Sequence, residues 1–421
     1  MSQIGLSRRA GSLKPSSTLA VAQRARQMKE AGEDVLAFAA GEPDFVTPEI
    51  IRKAAKDALD KGMTHYAPTL GTPGARAAVA RKLGSENGIE GLTADHIAIG
   101  VGGKHVLYNA MHCLLDPPQA GEEPWEVLLP VPAWVSYRPI AELAGGVVKE
   151  LPTRGEDDFK ISPEQLAAAI TPRSRLLVIN SPSNPCGTMY SPDELRALAA
   201  VVAEKAESVA PNLVILTDEI YEKIVYGGIE HFSIGSVPEV AERTLTINGL
   251  SKAFAMTGWR IGYGAMPGAF GAELIKGMGK LQGQMTTNIT SFNYPAIRCA
   301  LTDDGVAEAV ERMRQAFASR AALVKSRLDR IDGVRCPTPT GAFYVFPDVS
   351  GLFGRTTPGG ATIGCAKDLS EALLEEAHVA FVPGEDFGGC GGNHVRISFA
   401  CGESQIEAGM DRFEAFVGTL T

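Results

Sequence analysis

Short apolar runs alternate with longer stretches of helical periodicity between about residues 97 and 265. Runs of three or four apolar residues are too short for helices and are typical of strands that are buried on both faces of a parallel sheet. The pattern therefore predicts a large α/β domain with a mostly parallel central sheet and crossover helices. The predicted strands cover residues 97–99, 127–129, 176–179, 213–216, 244–247 and 261–263.

Four helix starts are marked by a serine or threonine followed by proline, because the hydroxyl can cap the first turn and proline fits its first position. From about residue 300 a long helical stretch precedes predicted strands at 341–347, 379–382 and 394–399, which indicates a smaller α+β domain. We expect an N-terminal arm over residues 1–47 that joins the small domain, a large domain over 48–299 and the small domain over 300–421. The four predicted helix starts are Thr47-Pro48, Thr72-Pro73, Ser162-Pro163 and Ser191-Pro192.

Composition excludes several classes of function. The formal charge of −9 disfavours a nucleic-acid partner, because the phosphate backbone is also negative. No apolar run reaches the roughly 18 residues of a membrane span, so we predict a cytoplasmic protein. The seven cysteines form no CxxC pair, and His105, His112 and Cys113 lack further nearby ligands. We therefore expect reduced thiols, ordinary helix packing for this histidine group and no metal.

One segment combines a lysine, a hydroxyl and an arginine that suit a single ligand. Ser251 and Lys252 follow the predicted strand 244–247, and Arg260 stands eight residues after the lysine. A lysine amine condenses with an aldehyde, while a hydroxyl and a guanidinium bind a phosphate. Pyridoxal phosphate carries both groups, so the segment predicts a Schiff-base lysine for this cofactor. Taken alone, the same residues also suit a surface lysine and a helix arginine beside a glycine turn.

Residues after the other predicted strands extend this prediction, because ligands bind beyond the carboxyl ends of strands in open α/β sheets. Gly103 opens a helix whose N–H groups can hold a phosphate, Trp134 can stack on a flat ring and Asn184 can reach a phenolate oxygen. Asp218 can keep a pyridine nitrogen protonated, and Tyr221, expected one helical turn later, can share the phenolate with Asn184. Taken alone, Trp134 also suits core packing and Asp218 a helix N-cap.

With these residues assembled, the chain closely resembles the class I aminotransferases of PLP fold type I. The resemblance is strongest to the bacterial aspartate aminotransferase-like subgroup that includes prephenate aminotransferases, and it spans residues 13 to 417. Two departures are Cys186, where the family commonly has threonine, and a longer connection at 116–125. The motifs that carry the resemblance are Ser12-Leu13-Lys14-Pro15-Ser16, Ala40-Gly41-Glu42-Pro43-Asp44-Phe45, His65-Tyr66-Ala67-Pro68-Thr69, Gly102-Gly103-Lys104, Trp134-Val135-Ser136-Tyr137, Asn184-Pro185, Asp218-Glu219-Ile220-Tyr221, Ser251 to Arg260, and Val395-Arg396-Ile397-Ser398.

The resemblance implies that Lys252 forms the internal aldimine and acts as the catalytic acid and base, with a pyridoxamine form carrying the amino group between substrates. Asp218 would pair with the pyridine nitrogen, and Tyr66 would reach the phosphate from a second subunit, so a homodimer is expected. The implied cofactor-binding residues are Gly103, Lys104, Trp134, Asn184, Asp218, Tyr221, Ser251, Lys252, Arg260 and Tyr66.

The same resemblance implies how an amino acid and a 2-oxo acid would bind. Arg396 stands in an alternating strand pattern and would grip the α-carboxylate bidentately. Lys14 and Lys104 match lysines that similar members use around a distal carboxylate, which favours L-aspartate with 2-oxoglutarate. The implied substrate-binding residues are Gly41, Trp134, Asn184, Arg396 and Lys14.

Three alternatives stay open from the sequence. The first keeps the cofactor and changes the substrate to prephenate or an aromatic amino acid. The second is a PLP-dependent lyase on the same fold, and the third is a silent binding domain such as the effector module of a transcription regulator. The intact lysine, aspartate and arginine set disfavours the third.

Overall fold

The computed structural model describes residues 5–13 and 17–421. Lys14, which the sequence places near the substrate, lies outside the described residues. The strands are β1 (Leu36–Ala37), β2 (Ile97–Val101), β3 (Glu126–Val131), β4 (Val147–Pro152), β5 (Ser174–Asn180), β6 (Val214–Asp218), β7 (Thr244–Gly249), β8 (Ile261–Ala265), β9 (Tyr344–Val345), β10 (Val379–Ala380), β11 (Val382–Pro383) and β12 (Val395–Ser398).

The helices alternate with the strands of the first 265 residues and then dominate the rest of the chain. They are α1 (Arg8–Gly11), α2 (Ser17–Glu30), α3 (Glu49–Asp60), α4 (Pro73–Asn87), α5 (Gly103–Leu114), α6 (Tyr137–Leu143), α7 (Pro163–Ala169), α8 (Pro192–Ser208), α9 (Pro238–Ala241), α10 (Gly268–Gly283), α11 (Asn293–Thr302), α12 (Asp304–Leu328), α13 (Ala366–Ala377) and α14 (Glu403–Thr419).

The central sheet has the strand order β2-β8-β7-β6-β5-β3-β4. Strand β8 is antiparallel to both of its neighbours, and the other paired strands run parallel. The prediction of a mostly parallel α/β fold of PLP type I is therefore confirmed. All six predicted strands are present, but β4 was missed because this edge strand is partly exposed and carries Lys149 and Glu150.

Both faces of this sheet are buried, which explains the continuous apolar runs. Leu176 and Val178 of β5 pack on the face that α5, α6 and α10 cover, whereas Leu177 and Ile179 pack on the opposite face under α7 and α8. Successive strand residues point to opposite faces, so a strand that is covered on both sides must be apolar at every position. The arrangement leaves only the strand ends open to a ligand.

The C-terminal part of the chain builds a second, smaller sheet. Its order is β11-β12-β9, with antiparallel pairing throughout, and β1 pairs with β10 in a separate parallel ribbon. The predicted strand 379–382 is thus two short strands, β10 and β11. In the register of β9 and β12, Tyr344 lies opposite Ser398, two residues after Arg396. The domain boundaries given above stay predictions.

Helix capping follows the sequence at three of the four predicted starts. Ser191 and Glu194 form a reciprocal capping box at α8, Ser162 accepts a hydrogen bond from the backbone N–H of Gln165, and Thr72 occupies the N-cap of α4 without a side-chain bond. The prediction for Thr47 was wrong, because α3 begins at Glu49 and the Thr47 hydroxyl instead donates to the carbonyl of Ala255 at 2.6 Å. That bond ties the N-terminal segment to the loop after Lys252.

Over the described ranges, 5–13 and 17–421, no helix is both long enough and apolar enough to pass through a bilayer. The cytoplasmic location stays a prediction. The seven cysteines are all free thiols. Residues 115–125 form an irregular connection between α5 and β3, which contains the longer connection at 116–125.

Candidate functional site

A cleft of about 350 Å³ opens at the carboxyl ends of the parallel strands. Residues that follow β2, β3, β5, β6 and β7 meet there, together with side chains from the smaller sheet. Among the residues that the structure describes, the cleft brings together every sequence-predicted site residue except Tyr66. The lining residues include Gly41, Gly103, Lys104, Trp134, Asn184, Asp218, Tyr221, Ser251, Lys252, Arg260 and Arg396.

One end of the cleft is a cradle for an anion. Helix α5 begins at Gly103, so the N–H groups of Gly103 and Lys104 have no partner within the helix, and both residues line the cleft. A β-carbon on Gly102, which has a φ of +83°, would lie 2.5 Å from Nη2 of Arg260. Gly262 of β8 is equally constrained, because its β-carbon would lie 2.1 Å from the Gly103 nitrogen. The glycines thus let the Arg260 guanidinium and the helix start approach each other closely.

Arg260 is held in this position by its own backbone. It has a left-handed conformation with a φ of 56°, and its Nη1 donates to the carbonyl of Thr257 at 2.8 Å. Ser251, almost fully buried two residues after the end of β7, adds a hydroxyl that lines the same cleft. A helix N-terminus, a guanidinium and a hydroxyl together suit a phosphate dianion.

The Lys252 ammonium lies in the middle of the cleft. Its Nζ donates to the carbonyl of Gly41 at 2.6 Å. Burial lowers the pKa of Lys252 to about 8, and the positive charges of Arg396 and Arg260 act in the same direction, while Glu42 opposes them. A depressed pKa leaves a much larger neutral fraction at neutral pH, and the neutral amine is the form that attacks an aldehyde.

Asp218 ends strand β6 and presents its carboxylate at the floor of the cleft. The hydroxyl of Tyr137 donates to its Oδ2 at 2.7 Å, and the backbone N–H of Ile220 donates to its Oδ1 at 3.3 Å. Burial raises the pKa of Asp218, whereas the Tyr137 bond and the Lys252 charge lower it. The helix N-cap alternative for Asp218 is wrong, because it is a strand residue and a turn follows it. Tyr137 was not identified from the sequence as a site residue.

The amide and hydroxyl groups expected at a phenolate also face the cleft. The backbone N–H of Asn184 donates to Oδ1 of Asn180, whose Nδ2 donates to the carbonyl of Asp218, both at 2.9 Å. These bonds connect the Asn184 loop to the end of β6. Tyr221 lies in a turn rather than one helical turn beyond Asp218, so the predicted helical spacing was wrong although the side chain still lines the cleft. The hydroxyl of Tyr221 lies 3.0 Å from that of Tyr344.

Arg396 closes the other end of the cleft and is only 2% exposed. Its Nη1 donates to Oδ1 of Asn184 at 3.1 Å and its Nη2 donates to the carbonyl of Ala39 at 2.7 Å. Among the described protein atoms its buried Nε has no hydrogen-bond acceptor. A buried guanidinium with a spare N–H at a cleft is suited to a carboxylate ligand, since carboxylates accept bidentate bonds from arginine.

Trp134 and Lys104 form the wall between these two ends. The Lys104 ammonium lies 4.8 Å from the centroid of the Trp134 ring, and that ring meets Tyr137 edge to face at a centroid distance of 5.3 Å. Burial and the neighbouring Arg260 lower the pKa of Lys104. The indole therefore presents a flat face beside the Lys104 cation, where an anionic aromatic ligand would be stabilised.

Tyr66 does not reach the cleft of its own chain. Its side chain is 90% exposed, although the segment around it is fixed by hydrogen bonds from Ala67 to Asn288 and from Ser291 to the carbonyl of Met63. Its predicted role at the phosphate therefore requires another copy of the chain and stays a prediction.

Comparison with known proteins gives matches over nearly the whole chain. The family model described as aminotransferase class I and II matches residues 33–413. A protein named probable aspartate/prephenate aminotransferase from Rhizobium leguminosarum bv. phaseoli is 42% identical over 407 residues, which cover 96% of this chain and 97% of the relative. An aspartate aminotransferase from Geobacillus stearothermophilus is 41% identical over 415 residues, which cover 98% of each chain.

Solved structures match equally well. The crystal structure of the aspartate aminotransferase from Rhizobium meliloti has a TM-score of 0.91 and 38% identity, with full coverage of both chains. The aspartate aminotransferase from Thermus thermophilus with maleate has a TM-score of 0.88 and 41% identity, covering 98% of this chain and 100% of that chain.

Proposed function

The chain belongs to the aminotransferase class I and II family, and we propose that it transfers an amino group from L-aspartate to 2-oxoglutarate with pyridoxal 5'-phosphate as its cofactor. The observation that carries this proposal is the convergence of Lys252, Asp218 and Arg396 on one cleft. An amine of lowered pKa, a buried carboxylate and a guanidinium with a spare N–H are the groups that transamination requires of the protein.

The residues present fit this cofactor. The cradle of Gly103, Ser251 and Arg260 matches its phosphate in charge and donor number, and Lys104 adds a further positive charge. We assign Asp218 to the pyridine nitrogen, because only a carboxylate among these groups can hold that nitrogen protonated. We assign the phenolate oxygen to Asn184 and Tyr221, and the face of the ring to Trp134.

When bound, the cofactor supplies an electron sink for the negative charge that develops on the substrate α-carbon. Lys252 is the group that removes the α-proton, because its lowered pKa gives a much larger fraction of neutral amine than an ordinary lysine has. The Tyr137 hydroxyl favours the ionised form of Asp218 through the 2.7 Å bond to Oδ2, against the burial that raises the pKa of this carboxyl. An ionised Asp218 in turn keeps the ring nitrogen protonated.

Substrate orientation depends on the two ends of the amino acid. We assign the α-carboxylate to Arg396 and Asn184, with the Gly41 backbone beside them. The distal carboxylate of aspartate falls to Lys104 and to Lys14 of the N-terminal arm. Aspartate then lies between the Arg396 guanidinium and the lysine ammonium groups, so a dicarboxylate is preferred over an apolar amino acid.

Prephenate is a second candidate, because two relatives that are 42% identical carry aspartate/prephenate aminotransferase as their names. Prephenate also has two carboxylates, so the same cationic residues suit it. An aromatic amino acid lacks the distal carboxylate and would gain nothing from Lys104 or Lys14.

We also propose that the working unit is a homodimer. The exposed Tyr66 ring on a well-fixed segment, with Met63 and Met285 also exposed, leaves an apolar surface that a second copy can cover. Light scattering during size exclusion should give a mass near twice 44.5 kDa. A monomer that is fully active would remove the role of Tyr66 across an interface.

The test of function is a product analysis with purified, cofactor-loaded protein. Aspartate and 2-oxoglutarate should yield oxaloacetate and glutamate in equal amounts, with no turnover by Lys252→Ala. Release of free ammonia in place of glutamate would indicate a lyase. In Lys14→Ala and Lys104→Ala, aspartate and prephenate should lose more kcat/KM than phenylalanine does, and equal losses for all three would contradict the distal-carboxylate assignment.

A further inference from the structure

Tyr344 is a buried side chain at the centre of the site to which the mechanism above gives no role. It belongs to β9 of the smaller sheet, is 1% exposed and lines the cleft. Its hydroxyl faces Tyr221, which follows β6 of the central sheet, and its ring lies beside Arg396 of β12. One side chain therefore contacts both the group assigned to the phenolate and the group assigned to the substrate carboxylate.

The direction of the Tyr344–Tyr221 hydrogen bond follows from what each proton can reach. The two hydroxyl oxygens are 3.0 Å apart, and either can donate. If Tyr221 donated to Tyr344, the Tyr221 proton would be used within the pair and could not reach the phenolate oxygen to which we assign Tyr221. If Tyr344 donates to Tyr221, the Tyr221 proton is free to point into the cleft, where a ligand oxygen can accept it.

The ring of Tyr344 has a separate contact. The guanidinium carbon of Arg396 lies 4.9 Å from its centroid and 5.1 Å from the centroid of Phe387. Two aromatic rings thus flank the arginine, and each attracts the cation through its π-face. These contacts are independent of the hydroxyl, because they involve the ring alone.

We propose that Tyr344 is a positioning residue with two roles. Its hydroxyl donates to Tyr221, so that the Tyr221 proton is directed to the phenolate oxygen of the cofactor. Its ring holds Arg396 in place for the substrate carboxylate. This inference rests on the proposed function, since it needs the cofactor in the cleft. It divides one side chain into two roles that two substitutions can separate.

The hydroxyl role has a consequence for the colour of the bound cofactor. A hydroxyl that accepts one hydrogen bond becomes a stronger donor of the next, by roughly 10–30% per bond. Stronger donation to the phenolate oxygen favours the state in which this oxygen carries an unshared negative charge, which is the deprotonated state of the chromophore. Loss of the Tyr344 hydroxyl should therefore raise the pH midpoint of the visible spectral change.

The experiment compares Tyr344→Phe and Tyr344→Leu with wild-type holoenzyme, without substrates. The first reading is the midpoint of the spectral pH titration. The second is the Kd for maleate, a dicarboxylate that does not react, measured at least one pH unit below every midpoint. Tyr226→Phe is the matched control, because Tyr226 is a buried tyrosine whose hydroxyl donates to the carbonyl of Ala342 and which does not line the cleft.

We expect Tyr344→Phe to raise the pH midpoint of the spectral change by about 0.2 to 0.6 pH units and to change the maleate Kd by less than about twofold. Tyr344→Leu should raise the midpoint similarly and weaken maleate binding by about fivefold or more. Tyr226→Phe should move neither reading.

An unchanged or lowered midpoint in Tyr344→Phe would overturn the hydroxyl role, and equal maleate affinities in the Phe and Leu variants would overturn the ring role. A wild-type protein that binds pyridoxal phosphate without any pH-dependent visible band would instead contradict the proposed function, so the two failures are distinguishable.

Discussion

Replacing Gly41 by alanine tests how closely the carboxylate end of the site is built around Tyr344. A β-carbon at position 41 would lie 2.5 Å from the Tyr344 hydroxyl oxygen, but 3.6 and 3.9 Å from Cζ and Cε1 of the same ring. The last two distances are ordinary van der Waals contacts, so the hydroxyl alone is in the way. Gly41 does not have a positive φ, and its backbone therefore accepts alanine without strain.

The expected cost follows from the overlap. Forcing one extra carbon into a packed site typically costs about 1–3 kcal/mol. Here the strain falls on residue 41, whose carbonyl accepts the 2.6 Å hydrogen bond from Lys252. This residue stands two positions after Ala39, whose carbonyl accepts a hydrogen bond from Arg396. If the strain is expressed in ligand binding, the maleate Kd should rise roughly tenfold, since about 1.4 kcal/mol corresponds to a factor of ten.

The assay is a double-mutant cycle in maleate affinity, with Gly41→Ala made in the wild type and in Tyr344→Phe. We expect the tenfold loss to shrink to about threefold or less in the phenylalanine background, which is a coupling of roughly 0.7 kcal/mol or more. Gly84→Ala is the matched control, because its β-carbon would meet only the Ile89 carbonyl at 3.8 Å. A loss of the same size in both backgrounds would refute the claim that the hydroxyl contacts Gly41.

Three further predictions follow from the same site. Tyr137→Phe removes a hydrogen bond to ionised Asp218, and its loss raises the pKa of that carboxyl further. We expect kcat to fall about tenfold with little change in KM. A change confined to KM would contradict the role of Tyr137 at Asp218. Arg396→Lys loses the planar pair of donors, so KM for aspartate should rise by roughly two orders of magnitude, and an unchanged KM would remove its role at the carboxylate. Because the pKa of Lys252 is lowered to about 8, its neutral fraction at pH 7 is about 300 times that of a lysine with the ordinary pKa of 10.5. The rate of cofactor incorporation into apoprotein should therefore rise with pH and level off above about pH 8. A tenfold rise in this rate per pH unit that continues to pH 10 would contradict the lowered pKa.

The sequence located the parts of the site that lie at strand ends. Lys252, Asp218 and Gly103 each follow or end a short apolar run, and parallel strands bring their carboxyl ends to one edge of the sheet. The position of the cleft was therefore predictable from local pattern alone. The assignment of aspartate needed the family resemblance, because the same strand ends suit any substrate of this cofactor.

The rest depends on contacts between residues that are far apart in the sequence. Tyr344 stands in the run Gly341 to Pro347, where nothing local marks it as different from its apolar neighbours. Only the pairing of β9 with β12 and the packing of the two sheets bring it to Tyr221 and Arg396. The prediction of Thr47 as a helix N-cap was wrong for a similar reason, since its hydroxyl donates to the carbonyl of Ala255, which lies 208 residues away in the sequence.

The turn after β6 could not be predicted from the pattern of apolar and polar residues either. A helix after Asp218 was the natural expectation, because β–α alternation holds for most of the sheet. The segment instead forms a turn, and Glu219 directs its backbone N–H to the carbonyl of Ile247 at 2.8 Å. Tyr221 still reaches the cleft because this turn, rather than a helix, carries it back toward β9.

The most direct test of aspartate transamination is the absorbance spectrum of the purified holoenzyme before and after adding L-aspartate without any keto acid. Lys252, Asp218 and Arg396 acting together predict that the visible band is replaced by the absorbance of the aminated cofactor, with one oxaloacetate formed per site, and that 2-oxoglutarate restores the band. A visible band that L-aspartate leaves unchanged would contradict aspartate as the donor.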